Sequence, residues 1–231
     1  MNDFFKFEDK DWDYPFYKLN PRVSYGGWIL LFASLIISLI VYGIFPSTWE
    51  ITSGIIFCLI MLIPVLYVAK WDYKIIFHKP TLKDVGLALL LGAGYVIYAI
   101  AFGTFVESIG LVALPSNNTS PYTVITLISL IFSLMGEELI KFIPFVFFLR
   151  VIYKYTNKRK LGIIISSILI MIGFGALHYD PALGIGYALA VQGLGTIFEI
   201  IGYLKTKNLI VPYITHLLID FVLMVIAMSG L

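Results

Sequence analysis

Residues 26–46, GGWILLFASLIISLIVYGIFP, contain no charged side chain. A run of this length can cross the hydrocarbon core of a bilayer as one helix, which needs about 20 mainly apolar residues. Comparable runs recur along the chain, and the predicted spans are 26–46, 51–69, 85–106, 122–149, 161–179, 182–204 and 209–229. Because only short segments connect them, we predict an all-α, polytopic bundle of about seven transmembrane helices, forming a single membrane domain over residues 1–231.

The composition predicts the same class of protein. Of the 231 residues, 60% are hydrophobic and 13% are charged, whereas a soluble domain has roughly 45–50% apolar and about 25% charged residues. So few charged side chains cannot cover the surface of a soluble domain of this size. The composition therefore argues against a soluble enzyme, a disordered chain and a nucleic-acid-binding protein, and the lipid bilayer is the expected partner. The single cysteine, Cys58, excludes an internal disulfide.

The basic residues indicate how the helices are oriented. Fifteen of the 16 lie in segments that would share one side of the membrane: Lys6, Lys10, Lys18, Arg22, Lys70, Lys74, Lys79, Lys83, Arg150, Lys154, Lys158, Arg159, Lys160, Lys205 and Lys207. Short cytoplasmic loops collect Lys and Arg, so we predict a cytoplasmic N-terminus and a C-terminus outside. Residues 1–25 are expected to form a cytoplasmic or interfacial segment, not a signal peptide. The expected location is a cell membrane, taken to be a bacterial plasma membrane.

The remaining basic residue, Lys141, lies inside the fourth predicted span, in the sequence MGEELIKFIPF of residues 135–145. Glu137 and Glu138 precede it by four and three residues, so either carboxylate can pair with the ammonium on a helix. Each such charge costs about 2.5–3.5 kcal/mol at membrane depth before pairing. One ion pair leaves the other carboxylate in need of a metal, a proton, a histidine or water. This pattern indicates a functional site, and a purely structural charged latch is the alternative.

Two histidines and an aspartate lie in later spans. His178 ends the fifth span in GFGALHYD, and His216 lies in the seventh, with Asp220 one helical turn after it. Taken singly, each is typical of a hydrogen-bonded polar side chain in a helix bundle. Together with the two glutamates they are the residue types that bind a divalent metal or activate a water. Glu199, in the sixth span, is expected to extend toward the cytoplasmic interface or Lys205, or to contact the site only indirectly, and not to act in catalysis.

The order of these segments resembles a known family. The segments are Glu137-Glu138-x-x-Lys141-Phe142, Phe174-x-x-x-His178 and His216-x-x-x-Asp220. They resemble the motifs of the CPBP (Abi, CAAX-protease and bacteriocin-processing) family of intramembrane endopeptidases, over a catalytic core of about residues 122–222. The family has an arginine at the position of Phe142, and the Glu-Glu-x-x-Lys arrangement is instead similar to that of PrsW-type membrane proteases. This departure leaves open which group pairs with the glutamates.

The resemblance implies hydrolysis of a peptide bond in a membrane-associated or peptide substrate. It implies Glu137 as the base, His178 as a second partner of the attacking water, and His216 with Asp220 near the developing oxyanion. Glu138 belongs to the same implied catalytic set.

Lys141 and Phe174 are expected to support this set, and two versions of its chemistry remain open. In one, His178, His216 and Glu138 hold Zn²⁺. In the other, no metal takes part and His216 donates a hydrogen bond to the oxyanion. Many relatives have asparagine at the position of Asp220, and an ionised aspartate cannot donate a hydrogen bond. That difference slightly favours the metal, or a role of Asp220 in orienting His216.

Two other functions compete with the protease: a non-catalytic relative acting as a scaffold, immunity or regulatory protein, and a transporter that uses the same groups as a proton relay. The predicted helix ends place His178 and His216 at different depths from Glu137, so a shared site requires helices that tilt or break. A separation of more than about 10 Å between His178 and Glu137, beyond the reach of one bridging water, would refute the shared site.

Overall fold

The computed structural model describes residues 13–18, 21–110, 123–181 and 183–229, and these form an all-helical bundle without a β-strand. The helices are α1 (Tyr25–Ile44), α2 (Glu50–Val68), α3 (Leu82–Ser108), α4 (Val124–Thr156), α5 (Arg159–Leu177), α6 (Gly184–Tyr187), α7 (Ile197–Thr206) and α8 (Ile210–Ser229). A π-helical stretch, Ala188–Gly193, lies between α6 and α7. The prediction of an all-α fold is confirmed, and the helices follow the predicted apolar runs.

Several helices have the length and composition of membrane spans. Five segments are long and apolar enough to cross a bilayer: Tyr25–Ile44, Glu50–Val68, Leu82–Ser108, Arg159–Leu177 and Gly184–Thr206. The 33-residue α4 is also long enough, but its apolar sequence contains Glu137, Glu138 and Lys141. In α8, Ile210–Val225 is a shorter apolar stretch. These helices fit a multi-pass membrane protein, whereas seven crossings and the orientation of the termini remain predictions.

The charged helix α4 lies at the centre of the bundle, where it contacts α2, α5 and α8. Its buried side chains extend from Ser129 to Leu149. Gly136 permits close packing, because a Cβ at this position would collide with the ring of Phe57 on α2. Pro144 lies inside α4 without ending it. The charged middle of α4 is therefore enclosed by other helices and does not face lipid alone.

Two glycines bring the end of α5 against the π-helical stretch. A Cβ added at Gly175 would lie 2.8 Å from the Cα of Gly193, and a Cβ at Gly193 would lie 2.7 Å from the carbonyl oxygen of Met171. These obstacles are backbone atoms, which cannot rotate aside as a flexible side chain can. The contact fixes the position of the C-terminal end of α5 relative to the chain that leads into α7.

Residues 14–17 lie inside the bundle, whereas Asp13 and Lys18 on either side of them are exposed. Tyr14 and Phe16 are fully buried, and the Phe16 ring packs edge-on against Phe142 of α4, with 6.2 Å between ring centroids. Arg150 donates hydrogen bonds to the carbonyl oxygens of Phe16, at 3.2 Å, and Lys18, at 3.0 Å. The aromatic rings of this part of the N-terminal segment have apolar partners between helices, whereas its cytoplasmic or interfacial position remains a prediction. Residues 1–12 lie outside the described ranges.

Candidate active site

Four helices bring ionisable side chains to one place in the bundle. The contributing residues are Glu137, Glu138 and Lys141 on α4, His178 at the C-terminal cap of α5, Glu199 in the first turn of α7, and His216 and Asp220 on α8. Glu137 and Glu138 are adjacent in sequence, yet their side chains leave the helix about 100° apart because an α-helix has 3.6 residues per turn. The two carboxylates therefore enter different surroundings.

Glu138 belongs to a buried network that also contains Lys141, Glu199 and His216. Glu138 is 2% exposed and Glu199 is 4% exposed. Lys141 Nζ donates to a carboxylate oxygen of each, and it lies 3.3 Å from His216 Nδ1. The ammonium also lies 4.6 Å from the centroid of the Phe174 ring, close enough for a cation–π interaction. The buried ammonium of Lys141 thus joins two acids that are 61 residues apart in the chain.

The His216 ring connects this buried network to a cavity. Its Nδ1 lies 2.8 Å from Glu138 Oε1, and because a carboxylate can only accept, we assign the hydrogen to Nδ1. The opposite ring nitrogen, Nε2, lies 3.9 Å from Glu137 Oε2 and 3.9 Å from Asp220 Oδ2. Glu138 therefore fixes the orientation of the His216 ring through Nδ1, and Nε2 faces Glu137.

Glu137 and His178 face the cavity together. Glu137 Oε2 lies 3.8 Å from His178 Nε2, and the two side chains are 25% and 32% exposed. The other ring nitrogen of His178, Nδ1, lies 2.9 Å from the carbonyl oxygen of Phe174. A carbonyl oxygen accepts, so Nδ1 carries the hydrogen and Nε2 of a neutral ring is left with a free lone pair. The 3.8 Å separation is too long for a direct hydrogen bond and has room for a bridging water.

The cavity beside these groups has a volume of about 200 Å³, enough for several water molecules, each of which occupies about 30 Å³ in the liquid. Its lining consists of Tyr95, Glu137, Phe174, His178, Gln192, Glu199, His216, Ile219, Asp220 and Leu223. The site thus has two parts: a buried ionic network that positions His216, and a cavity lined by three carboxylates and two imidazoles.

The structure brings the residues predicted for the site together. The 3.8 Å between Glu137 and His178 satisfies the condition set for a shared site. The ring of Phe174 lies 4.4 Å from that of His178, centroid to centroid, and Asp220 joins at the cavity wall. The chemical role of each residue remains a prediction.

Of the two positions expected for Glu199, the one toward the interface was wrong, and the structure agrees with an indirect contact with the site. Its carboxylate does not extend toward the interface or Lys205, but pairs with Lys141 in the centre of the bundle and lies 3.9 Å from His216 Nδ1. The physical reason is that Lys141 lies too deep to reach water, so it is stabilised by a second acid from a neighbouring helix. The sequence did contain a signal: Glu199 and Lys141 are both ionisable groups inside apolar runs.

The buried network contains a group that could hold a metal ion. Ligand atoms of Glu138, Glu199 and His216 all lie within 4.8 Å of one another, and no other such group occurs in the part of the chain that the structure describes. The predicted set of His178, His216 and Glu138 is not assembled around one point, because Glu138 faces Nδ1 of His216 while His178 shares Glu137 with Nε2. Lys141 Nζ contacts all three members of the assembled group, so an ammonium already lies among their ligand atoms.

Comparisons with known proteins point to the same family as the motifs. Residues 119–222 match the family model described as Type II CAAX prenyl endopeptidase Rce1-like. The matched segment contains every ionisable residue of the site, from Glu137 to Asp220, and it confirms the resemblance to CPBP endopeptidases. No curated protein and no solved structure matches the chain.

Proposed function

We propose, from the match of residues 119–222 to the CAAX prenyl endopeptidases, that the chain is an intramembrane endopeptidase whose water is activated by Glu137. The observation that carries this proposal is the position of one carboxylate between two imidazoles. Glu137 Oε2 lies 3.8 Å from His178 Nε2 and 3.9 Å from His216 Nε2, on the wall of a cavity of about 200 Å³. A base, a water site and a donor for negative charge are the groups that peptide hydrolysis requires.

Glu137 would remove a proton from a water held between its carboxylate and His178. The lone pair on His178 Nε2 accepts the second hydrogen of this water, because Nδ1 already donates to Phe174. The water oxygen then bonds to the carbonyl carbon of the substrate. Glu137 passes its proton to the amide nitrogen as the C–N bond breaks, so the products are a carboxylic acid and an amine.

His216 would stabilise the negative charge on the carbonyl oxygen. Glu138 and Glu199 bring two negative charges to the buried network and Lys141 brings one positive charge, so a proton on His216 makes the network neutral. A protonated ring then directs an Nε2–H into the cavity while Nδ1–H remains on Glu138. Asp220 Oδ2, at 3.9 Å from Nε2, favours the cationic ring by its charge.

The cation of this site is, in our proposal, Lys141 and not Zn²⁺. The ammonium contacts Glu138, Glu199 and His216, the same three side chains that a metal would use. A divalent ion at this point would have to displace the ammonium from both carboxylates that it contacts, which is unfavourable. These three side chains therefore do not fit a zinc centre, and the mechanism above uses none.

A second cavity, of about 360 Å³, supports a substrate that carries an apolar chain. It reaches from Leu35 on α1 and Phe148 on α4 to Gly173 and Phe174 on α5, and its inner end reaches Lys141. Its lining is almost entirely apolar, as in a site for hydrocarbon. Since the matched family is described as acting on prenylated proteins, we propose that this cavity receives the apolar group of a membrane-associated substrate.

The proposal is tested with the full chain reconstituted in lipid vesicles. The probes are a farnesylated peptide with a Cys-aliphatic-aliphatic-X terminus and a library of peptides from membrane proteins, and products are identified by mass spectrometry. Wild type is compared with Glu137→Gln and with Glu107→Gln, a matched control because Glu107 is exposed at the end of α3. Cleavage by wild type and Glu107→Gln, absent in Glu137→Gln, is expected. Absence of cleavage in wild type, or unchanged cleavage in Glu137→Gln, would leave the non-catalytic alternative.

A further inference from the structure

The cavity contains one amide side chain, Gln192, whose hydrogen bonding is incomplete. Its Oε1 is buried and has no hydrogen-bond partner within the described ranges. The main-chain carbonyl oxygen of the same residue accepts from Thr196 Oγ1 at 2.8 Å and from Thr196 N at 3.1 Å. A buried polar atom without a partner is unfavourable and uncommon in native proteins. A ligand that supplies a donor at this point would remove that cost.

The backbone around Gln192 is fixed from two sides. Gln192 lies in the π-helical stretch Ala188–Gly193, a conformation frequently found at functional sites. Tyr98 on α3 donates its hydroxyl to the carbonyl oxygen of Ala190. On the other side, Gly193 packs against α5 so closely that a Cβ would lie 2.7 Å from Met171 O. The same contact of α5 and the π-helical stretch sets the position of Gln192 relative to His178, so Gln192 lines the cavity from a rigid frame.

The chemistry of an amide differs from that of the other polar groups in the cavity. Glu137, Glu199 and Asp220, when ionised, only accept hydrogen bonds, and the imidazoles are used in the mechanism above. Tyr95 offers a single hydroxyl, whose one oxygen must both donate and accept. A glutamine side chain both accepts through Oε1 and donates through Nε2, and a peptide group does the same. The two can therefore pair, whichever way the glutamine amide is turned. A peptide chain entering the cavity would supply the N–H that Oε1 lacks.

We infer that Gln192 binds a backbone peptide group of the substrate next to the scissile bond, with Oε1 accepting from a substrate N–H. This inference rests on the proposed peptidase function and assigns it a substrate-binding residue. The pairing holds the substrate backbone in a fixed direction across the cavity. The scissile carbonyl is thereby presented to the water between Glu137 and His178.

The first experiment replaces Gln192 with leucine, which keeps the size of the side chain and removes both hydrogen-bonding atoms. The assay uses the peptide that wild type cleaves best in the reconstituted system. We expect kcat/KM to fall about tenfold, mainly through KM, because the lost hydrogen bond is made in both the ground and transition states. The melting temperature should be unchanged or higher, since a buried oxygen without a partner has been removed. Leu194→Ala, at an exposed position two residues away, serves as the control.

The second experiment identifies the substrate group by methylating, one at a time, the backbone nitrogens that flank the scissile bond. At one position, methylation should lower kcat/KM about tenfold in wild type and have little further effect in Gln192→Leu. If Gln192→Leu lowers the melting temperature but leaves kcat/KM unchanged, or if every methylation affects both proteins equally, the inference is overturned while the peptidase function stands. If wild type cleaves no more than Glu137→Gln, the proposed function fails and the inference fails with it.

Discussion

Removal of the Lys141 ammonium should destabilise the protein more than any other single charge removal in the described helices. In Lys141→Met, Glu138 and Glu199 remain 2% and 4% exposed, but lose the cation that each contacts. Breaking a buried ion pair by removing one partner costs about 3–5 kcal/mol, because the other charge stays buried without compensation. This corresponds to a change of roughly one hundredfold to a few thousandfold in the unfolding equilibrium.

A second substitution measures how much of the lost free energy of unfolding comes from each of the two carboxylates. Adding Glu199→Gln to Lys141→Met removes one of the two carboxylates that have lost the ammonium, and Glu138 keeps its contact with His216 Nδ1 at 2.8 Å. We expect the double variant to recover roughly half of the lost free energy of unfolding, because the two carboxylates share one ammonium. Lys83→Met, at an exposed position in the first turn of α3, should change the free energy of unfolding by no more than about 0.5 kcal/mol.

The assay is equilibrium unfolding of the purified chain in mixed detergent micelles, followed by the helical signal in circular dichroism. If Lys141→Met unfolded at the same denaturant concentration as Lys83→Met, the ammonium would not be what stabilises the two buried carboxylates. If the double variant were less stable than Lys141→Met, Glu199 would be stabilised by something other than the ammonium.

Three further predictions concern packing and cofactor content. Gly193→Ala should lower the free energy of unfolding by about 1–3 kcal/mol and lower kcat/KM, since its Cβ would lie 2.7 Å from Met171 O. The control is Gly86→Ala, where nothing lies within 4 Å of an added Cβ. Equal melting temperatures of the two variants would contradict the close contact at Gly193. Incubation with a zinc chelator should leave the cleavage rate unchanged, and a loss of activity that only added zinc restores would contradict the proposed role of Lys141. Phe16→Ala should lower the free energy of unfolding by about 3–5 kcal/mol, the usual cost for a buried phenylalanine. Tyr25→Ala, at a position that is 85% exposed, should have little effect. Similar unfolding midpoints of the two variants would argue against a buried Phe16.

The helices could be predicted from the sequence because their cause is local. A run such as 26–46 is apolar for the length of a bilayer crossing, and α1 follows it closely, over Tyr25–Ile44. The site residues could be found for a related reason: charged groups inside apolar runs are unfavourable unless they meet partners. Lys141 therefore predicted a cluster even before any partner was identified.

Which side chains meet Lys141 depends on the rotation and tilt of the helices, and the sequence alone does not reveal these. By helical spacing either Glu137 or Glu138 could pair with Lys141, and only the helices around α4 decide that Glu137 faces the cavity and Glu138 the buried network. An interfacial position was one of two expectations for Glu199, because its distance from the end of an apolar run was read as depth. The π-helical stretch before α7 alters the rotation of that segment, and periodicity alone does not reveal it.

In the proposed mechanism Glu137 is the base, whereas the adjacent Glu138 only positions His216. The single-turnover cleavage rate per folded molecule distinguishes these two roles. We expect the rate of Glu137→Gln to be about a thousandfold below that of wild type, the scale of a lost general base. Glu138→Gln should retain more activity, since it still accepts a hydrogen bond from His216. If Glu137→Gln cleaves as fast as Glu138→Gln, or faster, then Glu137 is not the base.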